Sequence, residues 1–122
     1  MKVPVVKQIL KANDSVALEN ARLFQDAGVI LLNVMASPGA GKTSTILATT
    51  DRLPAHVRPA VIEGDVASSI DADRIAERGI PVVQINTGGN CHLDAPMIRS
   101  TLPHFDLEAV DLLFVENVGN LI

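Results

Sequence analysis

The segment from Ala36 to Ser44 contains the residues best suited to hold a phosphate. It reads Ala-Ser-Pro-Gly-Ala-Gly-Lys-Thr-Ser and ends like a P-loop, although a P-loop normally has Gly where Ala36 stands. Glycines let backbone N–H groups turn toward phosphate oxygens, and a helix that begins at Lys42 adds its positive end. Lys42 would reach the β- and γ-phosphates, and the Thr43 hydroxyl would face Mg²⁺. The predicted nucleotide-binding residues are Ser37, Pro38, Gly39, Ala40, Gly41, Lys42, Thr43 and Ser44.

An ordinary strand–helix turn is the alternative to a P-loop. An apolar strand precedes the segment and a helical pattern follows it, which is the context that the motif requires. The P-loop is therefore favoured.

Carboxylates follow two other predicted strands. Glu63-Gly64-Asp65 follows the second strand, and Glu116-Asn117 follows the fourth. The carboxyl ends of parallel strands meet at one edge of a sheet, where ligands bind. Asp65 and Glu116 are thus candidates to hold Mg²⁺, directly or through water, and to orient an attacking water; a helix cap or surface acid is the alternative for each. The candidate catalytic residues are Lys42, Asp65 and Glu116.

Cys91 and His92 follow the third predicted strand within a loop rich in Gly and Asn. A thiolate and an imidazole suit Zn²⁺ or Ni²⁺ better than Mg²⁺. One chain supplies two such ligands, and a two-fold dimer would supply four. A pair that binds no metal and a Cys–His nucleophile are the alternatives. His56 and His104 have no partner in the pattern and are predicted to lie on the surface.

The elements that must position these residues alternate between strand and helix. Strands are predicted at 29–35, 58–63, 81–85 and 110–115, and helices at 14–27, 42–53, 71–78 and 94–102, with loops at 86–93 and 116–120. This alternation predicts an α/β fold with a doubly wound parallel sheet.

The domain organisation follows from the same pattern. Residues 1–13 are predicted to form an N-terminal segment, and residues 14–122 to form the N-terminal portion of a P-loop domain. P-loop domains usually have more than the strands predicted here, and the sequence contains no Asn-Lys-x-Asp motif for guanine. The chain is therefore predicted to be C-terminally truncated, without the last strands and the base-specificity loop.

Composition limits the classes of function. Hydrophobic residues make up 48% of the 122 residues and aromatic residues 2%, which is typical of an aliphatic core in a sheet covered on both faces. The net charge of -4 does not favour nucleic-acid binding, and no apolar run approaches the ~20 residues of a membrane span. The single cysteine and the absence of a signal-peptide core predict a cytoplasmic protein.

Four blocks together resemble one known family. The sequences at 37–43, 63–66, 84–94 and 114–122 resemble those of the hydrogenase nickel-incorporation GTPases, the HypB family of SIMIBI-class P-loop GTPases. The last two blocks are more specific than the P-loop, and the related urease accessory GTPases differ in both.

The resemblance implies a function. It implies a GTP-hydrolysing metallochaperone that dimerises with nucleotide and, with other maturation proteins, delivers nickel to the large subunit of [NiFe]-hydrogenase. By motif match, Lys42 and Thr43 contact phosphate and Mg²⁺, and Asp65 and Glu116 belong to the Mg²⁺ and switch region. Cys91 and His92 match the family's metal site, which takes Ni²⁺ or Zn²⁺ at the dimer interface.

The sequence departs from the family pattern in three places. The family usually continues after 114–122 with Cys-Pro, whose cysteine is a further metal ligand, and its guanine-specificity motif comes later. The chain also has no Cys-rich or His-rich N-terminal segment. Loss of GTP hydrolysis and weakened metal binding are therefore expected for this chain. Two other functions stay open: a generic ATP-dependent phosphotransferase in which Cys91 and His92 are structural, and a non-catalytic metal-binding fragment.

Overall fold

The computed structural model describes residues 3–36, 41–64, 70–85 and 93–118. The strands are β1 Ile30–Ala36, β2 Pro59–Gly64, β3 Val82–Gln84 and β4 Leu112–Val118, and the helices are α1 Val3–Ala27, α2 Lys42–Asp51, α3 Ile70–Glu77 and α4 Ala95–Thr101. Short 3₁₀ helices follow α4 at Leu102–His104 and Leu107–Ala109. The predicted elements within these ranges are therefore present, with shifted ends.

The strands form one parallel sheet with the order β1-β4-β2-β3. Alternate residues along a strand face opposite sides, so the sheet has two apolar faces. On one side, Ile62 and Val115 pack with Phe24 of α1 and with α4. On the other, Val61 and Phe114 pack with α2 and α3. Helices on both faces of a parallel sheet confirm the predicted doubly wound α/β fold.

Helix α1 corrects one sequence prediction. A helix was predicted to begin at the Asp14-Ser15 pair, but α1 runs without a break from Val3 to Ala27 and crosses the predicted boundary at residue 13. Asp14 and Ser15 are exposed within this helix, and Asn13 just before them accepts a hydrogen bond from the backbone N–H of Ala95 at 2.9 Å. None of the helices in the described ranges has the length and apolarity of a membrane span.

Strand β4 corrects a second prediction. Glu116 and Asn117 were predicted to lie in a loop, but β4 continues to Val118. Glu116 is in register with Val34 of β1 and with Glu63 of β2. Pairing on both sides extends the strand, and it places polar residues on the sheet itself rather than on a loop beyond it.

Strand β1 forms one edge of the described sheet and carries apolar residues on both faces, with Asn33 as its one polar residue. Ile30 and Leu32 on one face are 65% and 44% exposed, and Met35 on the other is 42% exposed. Sheet edges in isolated domains usually carry charges or are covered. This edge instead has the composition of an internal strand.

The start of β2 is joined to the start of β4 by an ion pair. The Asp111 carboxylate accepts hydrogen bonds from the backbone N–H of Arg58 at 2.8 Å and from its Nε at 3.0 Å. The Arg58 side chain, followed by the Arg58 backbone N–H, lowers the pKa of Asp111 below its ordinary value of 3.8. Both side chains are substantially exposed, so the stabilisation is small.

Replacing Asp111 with Asn is expected to make the free energy of unfolding less dependent on pH in the acidic range. A carboxylate whose pKa is lower in the folded state stabilises the fold above its unfolded pKa, and this contribution disappears as pH falls through the folded pKa. Wild type should therefore lose more stability than Asp111→Asn below about pH 4. Urea unfolding between pH 5 and pH 2 measures this, and identical slopes would contradict the assignment.

Candidate functional site

The first turn of α2 lies at the carboxyl edge of the sheet, beside the end of β4. Gly41 caps α2 with φ 86°, a left-handed conformation that favours glycine. Lys42 and Thr43 follow and are buried, whereas Ser44 is exposed. The sequence prediction that a helix begins at Lys42 is confirmed, and backbone N–H groups at such a helix start favour anions.

Thr43 and Glu116 contact each other, although 73 residues separate them. The Thr43 hydroxyl lies 3.0 Å from each carboxylate oxygen of Glu116, to which it donates a hydrogen bond. Both residues are buried, at 4% and 5% exposure. The structure therefore joins two residues that the sequence had singled out separately: the P-loop threonine and the acid of the fourth strand.

Two further carboxylates, which sequence reasoning did not assign to the site, lie beside Glu116. Ligand oxygens of Glu63, Asp71 and Glu116 lie within 4.8 Å of one another. Glu63 is fully buried on β2 and opposite Glu116, while Asp71 comes from the first turn of α3. Predicting Glu63 would have required knowing that β2 and β4 are neighbours. These residues form a cluster of oxygen donors, the ligand type that Mg²⁺ prefers.

Arg74 of α3 lies at the rim of this cluster. Its Nη1 is 3.5 Å from Asp71 Oδ1, and its Nη2 donates to the Ser44 hydroxyl at 3.4 Å. Arg74 thereby connects the start of α2 to α3 and lies beside Asp71 of the cluster.

Leu93 packs against the carboxyl end of β2 on the opposite face of the sheet. A Cβ built on Gly64 would lie 2.5 Å from Leu93 Cγ and 2.7 Å from both of its methyl carbons. Glycine is therefore required at residue 64 for space, so that the segment leading into α4 can approach the sheet.

Replacing Gly64 with Ala is expected to destabilise the fold by about 1–3 kcal/mol, the usual cost of overpacking. Urea denaturation measures this free energy of unfolding. In a protein that already carries Leu93→Ala, adding Gly64→Ala should lower the free energy of unfolding much less, because the obstructing side chain is gone. An equal cost in both backgrounds would contradict the packing explanation.

Several predicted site residues lie outside the described ranges. These are Ser37, Pro38, Gly39 and Ala40 of the P-loop, together with Asp65, Cys91 and His92. Their predicted roles stay predictions. The predicted surface positions of His56 and His104 are confirmed, since both are exposed.

Comparison with known proteins agrees with this geometry. Residues 30–122 match the CobW/HypB/UreG nucleotide-binding domain. The hydrogenase maturation factor HypB of Rhizobium leguminosarum bv. viciae is 47% identical over 120 residues, which cover 98% of this chain.

Two solved structures have the same fold. HypB from Archaeoglobus fulgidus superposes with a TM-score of 0.81 at 39% identity, over 92% of this chain and 54% of its own. HypB from Helicobacter pylori, solved in complex with nickel, superposes with a TM-score of 0.79 at 38% identity, over 90% and 52%.

The matched region is only part of each relative. The chain spans 40% of the Rhizobium protein and about half of each crystallised one. The match nevertheless includes the P-loop helix, the carboxylates on β2 and β4, and the region of Cys91 and His92. The chain therefore belongs to the CobW/HypB/UreG family of nucleotide-binding proteins.

Proposed function

We propose that this chain is the nucleotide-binding part of a GTP-hydrolysing metallochaperone that delivers nickel during [NiFe]-hydrogenase maturation. The observation that carries the proposal is the buried contact between Thr43 and Glu116, which joins the P-loop helix to the end of β4. Similarity to HypB proteins over nearly the whole chain supports the same assignment.

Lys42 and the start of α2 bind the phosphates in this proposal. A lysine charge and the helix N-terminus both favour polyphosphate, and burial strengthens these interactions by excluding water. Ser44 lies on the exposed side of the same turn beside Arg74 of α3, and both can contact the nucleotide there.

The donor set fits Mg²⁺. Thr43 and Glu116 would hold the ion, with Glu63 and Asp71 as the nearest further oxygen donors and Asp65 as a predicted ligand. Mg²⁺ neutralises charge on the β- and γ-phosphates when it is bound. Glu116 and Asp65 orient the attacking water through hydrogen bonds, and the buried position of Glu116 limits access of other water.

Ni²⁺ is the cargo, with Zn²⁺ as a competitor for the same ligands. Cys91 and His92 from each subunit of a nucleotide-dependent homodimer would bind it, and the dimer would pass it to hydrogenase maturation partners and the hydrogenase large subunit in the cytoplasm. Thiolate and imidazole suit these ions. If nucleotide changes the geometry of the dimer, it also changes metal affinity, and the reverse effect has the same size.

Nucleotide competition and phosphate release test the proposal. In the whole protein of which this chain is proposed to be the nucleotide-binding part, GDP should displace a fluorescent guanine nucleotide better than ADP does, and GTP should release phosphate in the presence of Mg²⁺. A clear preference for ADP, with phosphate transferred to a small-molecule acceptor, would favour the phosphotransferase alternative. Nucleotide binding without phosphate release would favour the non-catalytic fragment.

A further inference from the structure

Asn117 is a buried polar residue on a face of β4 that is otherwise apolar, and the proposed nucleotide site does not use it. It is 6% exposed. Successive side chains on a strand point to opposite faces. Glu116 therefore points toward α2 and Thr43, whereas Asn117 shares the face of Leu113 and Val115, which pack against α1 and α4.

The Asn117 amide uses its acceptor and its donor at the same time. Its Oδ1 accepts a hydrogen bond from the backbone N–H of Leu93 at 2.8 Å, and its Nδ2 donates to Oδ1 of Asn33 on β1. A buried N–H that loses its acceptor is costly, so this bond fixes the backbone of Leu93. An aliphatic residue of the same size could make neither bond.

The residues after Leu93 are held as well. Asp94 caps α4 by accepting a hydrogen bond from the N–H of Met97 at 2.9 Å, and the N–H of Ala95 donates to Asn13 of α1 at 2.9 Å. Leu93 is thus attached to the sheet and Ala95 to α1, and Asp94 between them caps α4. Of these three attachments, the one made by Asn117 is nearest to His92 in the chain.

We propose that Asn117 is a positioning residue for the metal ligands Cys91 and His92, acting through the backbone of Leu93. This inference rests on the proposed function, which makes those two residues the Ni²⁺ ligands. The carbonyl carbon of His92 is bonded directly to the Leu93 nitrogen whose hydrogen Asn117 accepts. Metal binding tolerates only a few tenths of an ångström of error in ligand distance, so fixing this atom lowers the cost of ordering the ligands.

The test compares Asn117→Leu with Asn33→Ala as a matched control. Asn117→Leu removes the acceptor for the Leu93 N–H. Asn33→Ala removes only the residue to which the Asn117 amide donates its other hydrogen bond. Removing a group that orients metal ligands typically costs about 10- to 100-fold in metal affinity. Asn117→Leu should therefore bind Ni²⁺ at least about tenfold more weakly, and Asn33→Ala should resemble wild type. GDP affinity should be unchanged in both.

Three results would separate this inference from its alternatives. Wild-type Ni²⁺ affinity in Asn117→Leu would overturn it. Equal losses of Ni²⁺ and GDP affinity would also overturn it, because they would indicate a general structural role. If wild type binds no Ni²⁺, the proposed function fails, and hydrogen exchange of the Leu93 amide then decides whether Asn117 fixes this backbone. Faster exchange of the Leu93 amide only in Asn117→Leu would support the proposal that Asn117 fixes this backbone. Equal exchange in all three proteins would contradict it.

Discussion

Replacing Lys42 with Ala is expected to lower the affinity for GTP and GDP by about tenfold to a hundredfold. A hydrogen bond to a charged group contributes about 1.5–3 kcal/mol, and each 1.4 kcal/mol is a factor of ten. Lys42 is buried in the first turn of α2, where little water competes with the phosphates. Displacement of a fluorescent nucleotide measures the affinity of each variant.

Arg52→Ala is the matched control for this prediction. Arg52 is an exposed cation at the C-terminal end of the same helix, so the substitution makes the same change in net charge at the opposite end. It should leave nucleotide affinity unchanged. Equal losses in both variants would show that overall charge, rather than a phosphate site at Lys42, determines binding.

Replacing Glu116 with Gln is expected to abolish most of the increase in nucleotide affinity that Mg²⁺ produces, a loss of about tenfold or more. The substitution keeps the size of the side chain and an acceptor for Thr43, but it removes the charge that Mg²⁺ requires. Nucleotide affinity measured with Mg²⁺ and with EDTA gives this ratio directly.

The stability of Glu116→Gln without ligands separates a functional role from a structural one. Glu63, Asp71 and Glu116 bring carboxylates within 4.8 Å of one another. Removing one charge from such a group reduces repulsion, so urea unfolding should show no loss of stability relative to wild type. A strongly destabilised variant would instead indicate that Glu116 supports the fold. Thr43→Ser keeps the hydroxyl and is the control: its nucleotide affinity with Mg²⁺ and its urea unfolding should both resemble wild type.

Local sequence patterns predicted the parts of the site that depend on neighbouring residues. The start of α2 at Lys42 and the cap of α4 at Asp94 follow from residue types within a few positions, and both are confirmed. The stop of α1 just before Gly28 is confirmed for the same reason. Such features form because the backbone has few ways to begin or end a helix.

Features that depend on strand neighbours could not be predicted in the same way. Glu116 and Asn117 resemble loop residues, but pairing with both β1 and β2 keeps them in β4. Glu63 becomes a site residue only because β2 lies beside β4, an order that no local pattern specifies. Asp14 shows the opposite error, since a residue typical of a helix start lies inside α1, which begins eleven residues earlier at Val3.

Whether nucleotide controls nickel binding can be measured by titrating Ni²⁺ in the presence of Mg²⁺ and either GDP or a non-hydrolysable GTP analogue. The Ni²⁺ affinities should differ between the two nucleotide states, and the ratio of analogue to GDP affinity should change by the same factor when Ni²⁺ is added. Equal Ni²⁺ affinity with both nucleotides would contradict the claim that nucleotide binding controls the release of nickel.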